Sequence, residues 1–246
     1  MDWKEWQPIY YDIVRKLHLD EISDIQATQL LTEILKDVNP SPILLQLEQM
    51  IVNKTVVVCG AGPSLESHIQ MLRERNDYED LVFVAADGAV SLLLEQNCPC
   101  DIIVTDLDGD YNHIKQATLN GAIVIAHGHG DNMDKIREMV PNLGSILGST
   151  QVKPTDRAFL WGGFTDGDRA CYVVSSYFPQ SVILAGMDFG RMVGKWSKPS
   201  RESHFQAPQR KMVKLEIAHD LITTLFDRIG IPYIILESVP RTDVED

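Results

Sequence analysis

The sequence predicts an α/β fold, a doubly wound and mostly parallel sheet preceded by an N-terminal helical segment. Three observations predict it. From Thr55 onward, short Val- and Ile-rich runs alternate with stretches at helical spacing. Those runs are continuously apolar, as strands buried on both faces of a parallel sheet must be. Residues 1–50, by contrast, carry helical periodicity alone.

Taken in order, 6–17 and 22–38 repeat apolar residues at helical spacing. Asn39-Pro40-Ser41-Pro42 interrupts them, and a third helix is expected over 43–50. This segment, 1–50, reads as a packing or homodimerisation cap without chemistry of its own. The α/β catalytic domain is expected over 51–246. Strands are expected at 55–59, 81–85, 102–105, 122–126, 182–185 and 233–236. Helices are expected at 64–75, 89–96, 133–139, 167–177 and 213–229.

The composition narrows the function classes. A net charge of −13 argues against general nucleic-acid binding and against a polybasic membrane surface. It leaves a nucleotide ligand open, because a metal and a local cationic cluster reverse the sign at a site. No apolar run approaches the roughly 20 residues that span a bilayer, and Met1-Asp2-Trp3-Lys4-Glu5-Trp6 is too polar and acidic for a secretory signal. Cys59, Cys98, Cys100 and Cys171 lack the paired spacing of a zinc site and read as reduced thiols of a cytoplasmic protein.

The chemistry concentrates at strand ends. Thr105-Asp106-Leu107-Asp108-Gly109-Asp110 follows the apolar run 102–104, and Asp87-Gly88 follows the run 81–86 in the same layout. Acids this close repel one another, and a divalent cation held by oxygens relieves the repulsion. An EF-hand is excluded, since Tyr111 stands where that loop needs Gly and Ala117 where it needs Glu. Turn-forming aspartates capping the next helix are the simpler alternative. The expected ligands are Asp106, Asp108 and Asp110 with Asp87 on the neighbouring strand end, and Asp131 is expected at the phosphates or orienting the metal's ligands.

Four further turns join this edge. Cys59-Gly60-Ala61-Gly62-Pro63-Ser64 is a strand, a glycine turn and a helix start, a place where backbone approaches an anion; it lacks the third glycine of the dinucleotide fingerprint and the Gly-Lys of a P-loop. His127-Gly128-His129-Gly130-Asp131-Asn132 follows a fourth strand and suits nucleotide or substrate contact better than zinc. Gly162-Gly163-Phe164-Thr165-Asp166-Gly167-Asp168-Arg169 precedes a helix, with Arg169 placed to reach a phosphate. Gly186-Met187-Asp188-Phe189 ends another strand. Acid- and glycine-bearing ends in such number point to a binding edge. Between Arg191 and Lys214, seven cationic residues face the single acid Glu202. A long polar loop of this kind fits a flap over polyphosphate, or a plain solvated loop.

These motifs carry a resemblance. Asp87-Gly88 followed by Pro99-x-Asp101 and Asp106-Leu107-Asp108 resembles the thiamin pyrophosphokinase pattern. The larger set, over roughly 55–235, resembles the archaeal 6-hydroxymethyl-7,8-dihydropterin pyrophosphokinases. The Gly-x-Gly-Pro-Ser-Leu turn at 60–65 also occurs in motility-associated glycosyltransferases. The resemblance implies ATP- and Mg²⁺-dependent transfer of pyrophosphate to the hydroxymethyl group of a reduced pterin, with release of AMP. It implies Asp87, Asp106 and Asp108 as catalytic metal ligands. Gly60, Gly62, Ser64, Thr165, Arg169, Lys195 and Lys198 would bind the nucleotide, and Asp166, Asp168 and Asp188 the pterin. A metal-dependent glycosyltransferase, a thiamin kinase and a non-catalytic nucleotide-binding module stay open as alternatives.

Overall fold

The computed structural model describes residues 1–237; residues 238–246, the end of the expected catalytic segment, lie outside the described residues. Three helices open the chain: α1 (Trp3–Leu17), α2 (Glu21–Ile34) and α3 (Pro40–Ile51). Their N-caps are Asp2, Asp20 and Asn39, whose side chains each accept a first-turn amide. There follow β1 (Thr55–Cys59), α4 (Leu65–Arg73), β2 (Val82–Ala86), α5 (Ala89–Glu95), β3 (Ile102–Thr105), α6 (Tyr111–Leu119), β4 (Ile123–Gly128), α7 (Met133–Met139), β5 (Ile146–Thr150), β6 (Ala158–Phe159), α8 (Asp166–Ser175) and β7 (Ser181–Ala185). A small hairpin of β8 (Met192–Val193) and β9 (Phe205–Gln206), the long α9 (Gln209–Ile229) and β10 (Tyr233–Ile235) complete the described part.

Eight strands form one sheet in the order β10-β7-β1-β2-β3-β4-β5-β6, and every pairing within it is parallel. The expected doubly wound sheet is therefore present. The two-residue alternation of each strand sorts its side chains onto two cores. Val56, Val58, Val82, Val84, Ile102, Val104, Ile123 and Ile125 face α1, α3, α8 and α9. Val57, Phe83, Ala85, Ile103, Val124 and Ala126 face α2, α4, α5, α6 and α7. The N-terminal helices are thus part of both helical layers. The Trp6 indole, fully buried, donates to the Gln151 carbonyl at 2.9 Å, and the Tyr10 hydroxyl donates to Asp24 at 2.7 Å. Among the described residues no helix is long and apolar enough to cross a membrane.

Connections run rightward from β1 through β6, then return through α8 to β7 on the other side of β1. The strand order reverses between β1 and β7. Parallel sheets bind ligands outside the carboxyl ends of their strands at such a reversal, and the acid-bearing turns all emerge at that edge.

Candidate active site

Asp87 leaves β2 with φ 43°, a left-handed backbone that a non-glycine residue adopts at a cost. Neighbours hold it there. Its amide donates to the Val104 carbonyl at 2.8 Å, and its carboxylate accepts from the Thr105 hydroxyl at 2.7 Å and the Gly109 amide at 2.9 Å. Asp106 leaves β3 next door; its carbonyl accepts from Asn132 at 2.8 Å, and its carboxylate lies 3.4 Å from the His129 ring. The first turn of α8 brings Asp166 over both. Carboxylate oxygens of Asp87, Asp106 and Asp166 all lie within 4.8 Å of one another.

The electrostatics of this cluster follow from crowding in a buried place. Burial, then the Asp106 charge, pushes Asp87 up to about 7. Burial and the charges of Asp106 and Asp87 push Asp166 well above the ordinary carboxylate range. Burial also raises Asp106, but the adjacent His129 outweighs it and leaves that group below its ordinary value. Three hard oxygen donors under mutual repulsion are the donor set of a divalent cation, so these residues fit one.

The cluster lies in a cleft of about 810 Å³ lined by all the edge turns. On one side the β1 turn is locked against the turn after β7. The Gly62 amide donates to the Gly186 carbonyl at 3.0 Å, and a Cβ on Gly62 would lie 2.0 Å from the Asp188 carboxylate. Across the opening stand Lys198, Arg201, Arg210, Lys211 and Lys214, all in the cleft wall. Asp108 is ion-paired to both Lys135 and Lys198, and although burial opposes it, these lysines bring its carboxyl down to about 2.

Residues 26–193 match the family described as 6-hydroxymethylpterin diphosphokinase MptE-like. The chain belongs to this MptE-like family. A relative from Methanocaldococcus jannaschii, named 6-hydroxymethyl-7,8-dihydropterin pyrophosphokinase, is 38% identical over 242 residues, which are 95% of this chain and 100% of that one. A relative of the same name from Pyrococcus furiosus is 40% identical over 225 residues, 92% of this chain and 94% of its own. Among solved structures, the MAf glycosyltransferase from Magnetospirillum magneticum AMB-1 aligns with a TM-score of 0.49 at 14% identity, covering 76% of this chain and 34% of that one.

In this MptE-like chain the expected site residues divide into two groups. The cleft takes in Gly60, Gly62, Asp87, Asp106, Asp108, Asp131, Thr165, Asp166, Asp188 and Lys198. Asp166, expected on the acceptor, sits with the acids instead, because α8 crosses above β1, β2 and β3 and brings its first turn in; Asp108 sits with Lys135 and Lys198. Ser64, Asp110, Asp168, Arg169 and Lys195 do not line the cleft. Asp110 caps α6, accepting from the amides of Asn112 and His113. Asp168, fully buried, accepts from the Phe164 and Thr165 amides and from the Thr165 hydroxyl. Arg169 is buried behind the site and donates to the carbonyls of Gly162 and Phe164. Lys195 lies over the Trp196 ring at 4.8 Å. The Ser64 amide, expected to receive an anionic ligand, receives the Asp188 carboxylate at 3.2 Å.

Sequence reasoning also passed over residues the cleft contains. His18, Asp20 and Asp24 line it, so the N-terminal segment reaches the site and is more than a cap. The available signal was an acid on an apolar stripe: Asp24, Ala27, Thr28 and Leu31 are the buried positions of α2. Gln151, just after the unrecognised strand β5, is a second omission.

Proposed function

We propose that this chain is a 6-hydroxymethyl-7,8-dihydropterin pyrophosphokinase. The observation that carries the catalytic half is the cluster of Asp87, Asp106 and Asp166 opposed by lysines and arginines across one cleft. The acceptor is carried by relatives of that name, similar over nearly the whole chain. The substrates are ATP and the reduced pterin, and the metal is Mg²⁺, held by Asp87, Asp106 and Asp166. Bound there, Mg²⁺ neutralises polyphosphate charge and favours an in-line arrangement.

The chain's own residues do the rest. Gly60 and Gly62 line the cleft at the β1–β7 reversal, where their missing side chains let the turn after β7 pack against them. Lys198, Lys211 and Lys214 offset the charge that gathers on the departing AMP. The pterin hydroxymethyl oxygen attacks the β-phosphorus and loses its proton to one of the site carboxylates. The bond from that phosphorus to the oxygen bridging the α-phosphorus breaks, and the electron pair leaves with AMP. The acid-rich walls admit a neutral acceptor more readily than an anionic one. A cytoplasmic setting agrees with four free cysteines.

Parallel incubations with ATP and Mg²⁺ test this reading, one with 6-hydroxymethyl-7,8-dihydropterin and one with thiamin. AMP is expected in the pterin reaction alone. AMP release with thiamin only, or with neither, would remove the pterin assignment.

A further inference from the structure

The carboxyl edge of the sheet is laid out by strand order. The glycine turns stand at β7 and β1, the acids at β2 and β3, and His127 and Gln151 at the ends of β4 and β5. Neighbouring strands are about 4.8 Å apart, so β1 and β5 are roughly 19 Å apart across the edge, room for a triphosphate at one end and a ring at the other. The β4–β5 end differs in chemistry from the rest of the cleft. Its polar groups, Asp24, His127 and Gln151, are buried.

The group that points to a ligand is His127. It is 2% exposed and lines the cleft, and its Nε2 makes no hydrogen bond, while Nδ1 lies 3.2 Å from the Ser149 hydroxyl. A buried polar atom without a partner is destabilising, and a ligand atom would offset that cost. The neighbours are just as specific. Asp24, 4% exposed, accepts from Tyr10 and Gln151 through Oδ2, each at 2.7 Å, and from the Gly130 amide through Oδ1 at 2.9 Å. The second lone pair of Oδ1 is unspent. Phe164 lines the same cleft. The His127 ring is stacked 5.9 Å from the His129 ring, which in turn contacts Asp106. One side-chain layer therefore separates this pocket from the acids.

We infer that Asp24, Gln151 and His127 form the acceptor subsite, binding the hydrogen-bonding edge of a flat, neutral bicyclic heterocycle. The inference rests on the proposed function and deepens it. A pyrimidinone edge presents adjacent N–H donors and ring acceptors. The free lone pair of Asp24 Oδ1 accepts from one donor, the Gln151 amide serves a second group, and the imidazole Nε2 meets the remaining atom. Burial in an apolar sheet makes each unmatched group costly, so the set discriminates against rings lacking that edge. The hydroxymethyl arm then projects toward β3 and the acids, and ATP takes the β1–β7 side. Asp24 also explains why the N-terminal helices belong to the site, since its grip on Gly130 places the loop that carries His129.

Calorimetry on the full chain tests it, with two titrants: 6-hydroxymethyl-7,8-dihydropterin, and α,β-methylene-ATP with Mg²⁺. Gln151→Met and His127→Phe are each expected to weaken pterin binding by about tenfold or more and to leave nucleotide binding unchanged. Pterin affinity unchanged in both variants, or loss confined to the nucleotide, would overturn the subsite while leaving the proposed reaction standing. Failure of the wild-type chain to bind the pterin at all would overturn the reaction and the subsite together. If a variant does not fold, ¹⁵N spectra of histidine in the wild-type chain decide: the His127 Nε2 resonance is expected to move with the pterin and not with the nucleotide, and a resonance that stays put under saturating pterin overturns the inference.

Discussion

Asp106→Asn is expected to lower turnover by at least about 100-fold, the scale on which loss of one electrostatic stabiliser acts, with the fold intact. The same holds for Asp87→Asn and Asp166→Asn, because the three carboxylates share one place. Stability is expected to move the opposite way. Burial and the Asp106 charge raise Asp87 from its ordinary 3.8 to about 7. A carboxyl raised in the fold keeps its proton there after the unfolded chain has lost it. The stability it contributes is full below its unfolded value and is lost as pH rises through about 7. In EDTA, therefore, Asp87→Asn should melt progressively higher than wild type as pH rises from about 4 to about 7, with a constant difference above that. Added Mg²⁺ should raise the melting temperature of wild type and not of the variant. Melting curves that stay parallel with pH and indifferent to Mg²⁺ would mean that these acids neither repel one another nor share a cation.

Gly88→Ala is the second large effect. Gly88 follows Asp87 with a helical backbone, φ −60°, so alanine is conformationally acceptable and the consequence is steric. Its Cβ would lie 1.8 Å from the Trp196 carbonyl oxygen and 2.7 Å from the carbonyl carbon. The backbone of the cationic segment thus rests directly on the turn that carries Asp87. Trp196 is anchored, buried and bonded to Glu95 at 3.3 Å, so the clash moves either the lysine-bearing loop or the Asp87 turn. A displacement of about 1 Å in such parts costs up to about 100-fold in rate. Steady-state kinetics should show kcat down by about tenfold or more with KM for ATP raised. Wild-type kinetics would mean that the cationic segment does not act at this turn.

Much of this architecture was legible because strand burial writes itself into sequence. Val56-Val57-Val58 and Ile102-Ile103-Val104 are apolar on both faces since helices cover both, and both strands stand where the runs predict. Parts with weaker patterning went unread. Helix α6 buries only Ile114 and Ala117, β5 contains Gly148, and β6 has two residues. In the site, Asp87 and Asp106 were readable because each ends a recognisable strand. The company of Asp166 was not, because the crossing of α8 over the sheet decides it. The sequence around Gly62 suggests a turn open to anions, but tertiary packing gives the Ser64 amide, just before α4, to Asp188. Asp24 was hidden for a related reason. A lone acid on an apolar helical stripe reveals nothing of its partners until Tyr10, Gln151 and Gly130 are brought to it.

The proposed chemistry is tested most directly by ³¹P NMR of one reaction mixture, with the chain, ATP, Mg²⁺ and 6-hydroxymethyl-7,8-dihydropterin. Attack at the β-phosphorus predicts AMP together with a pair of mutually coupled phosphorus resonances on the pterin product, in equal amounts and without ADP. ADP with a single uncoupled phosphate on the acceptor, or AMP with free pyrophosphate and unchanged pterin, would contradict it.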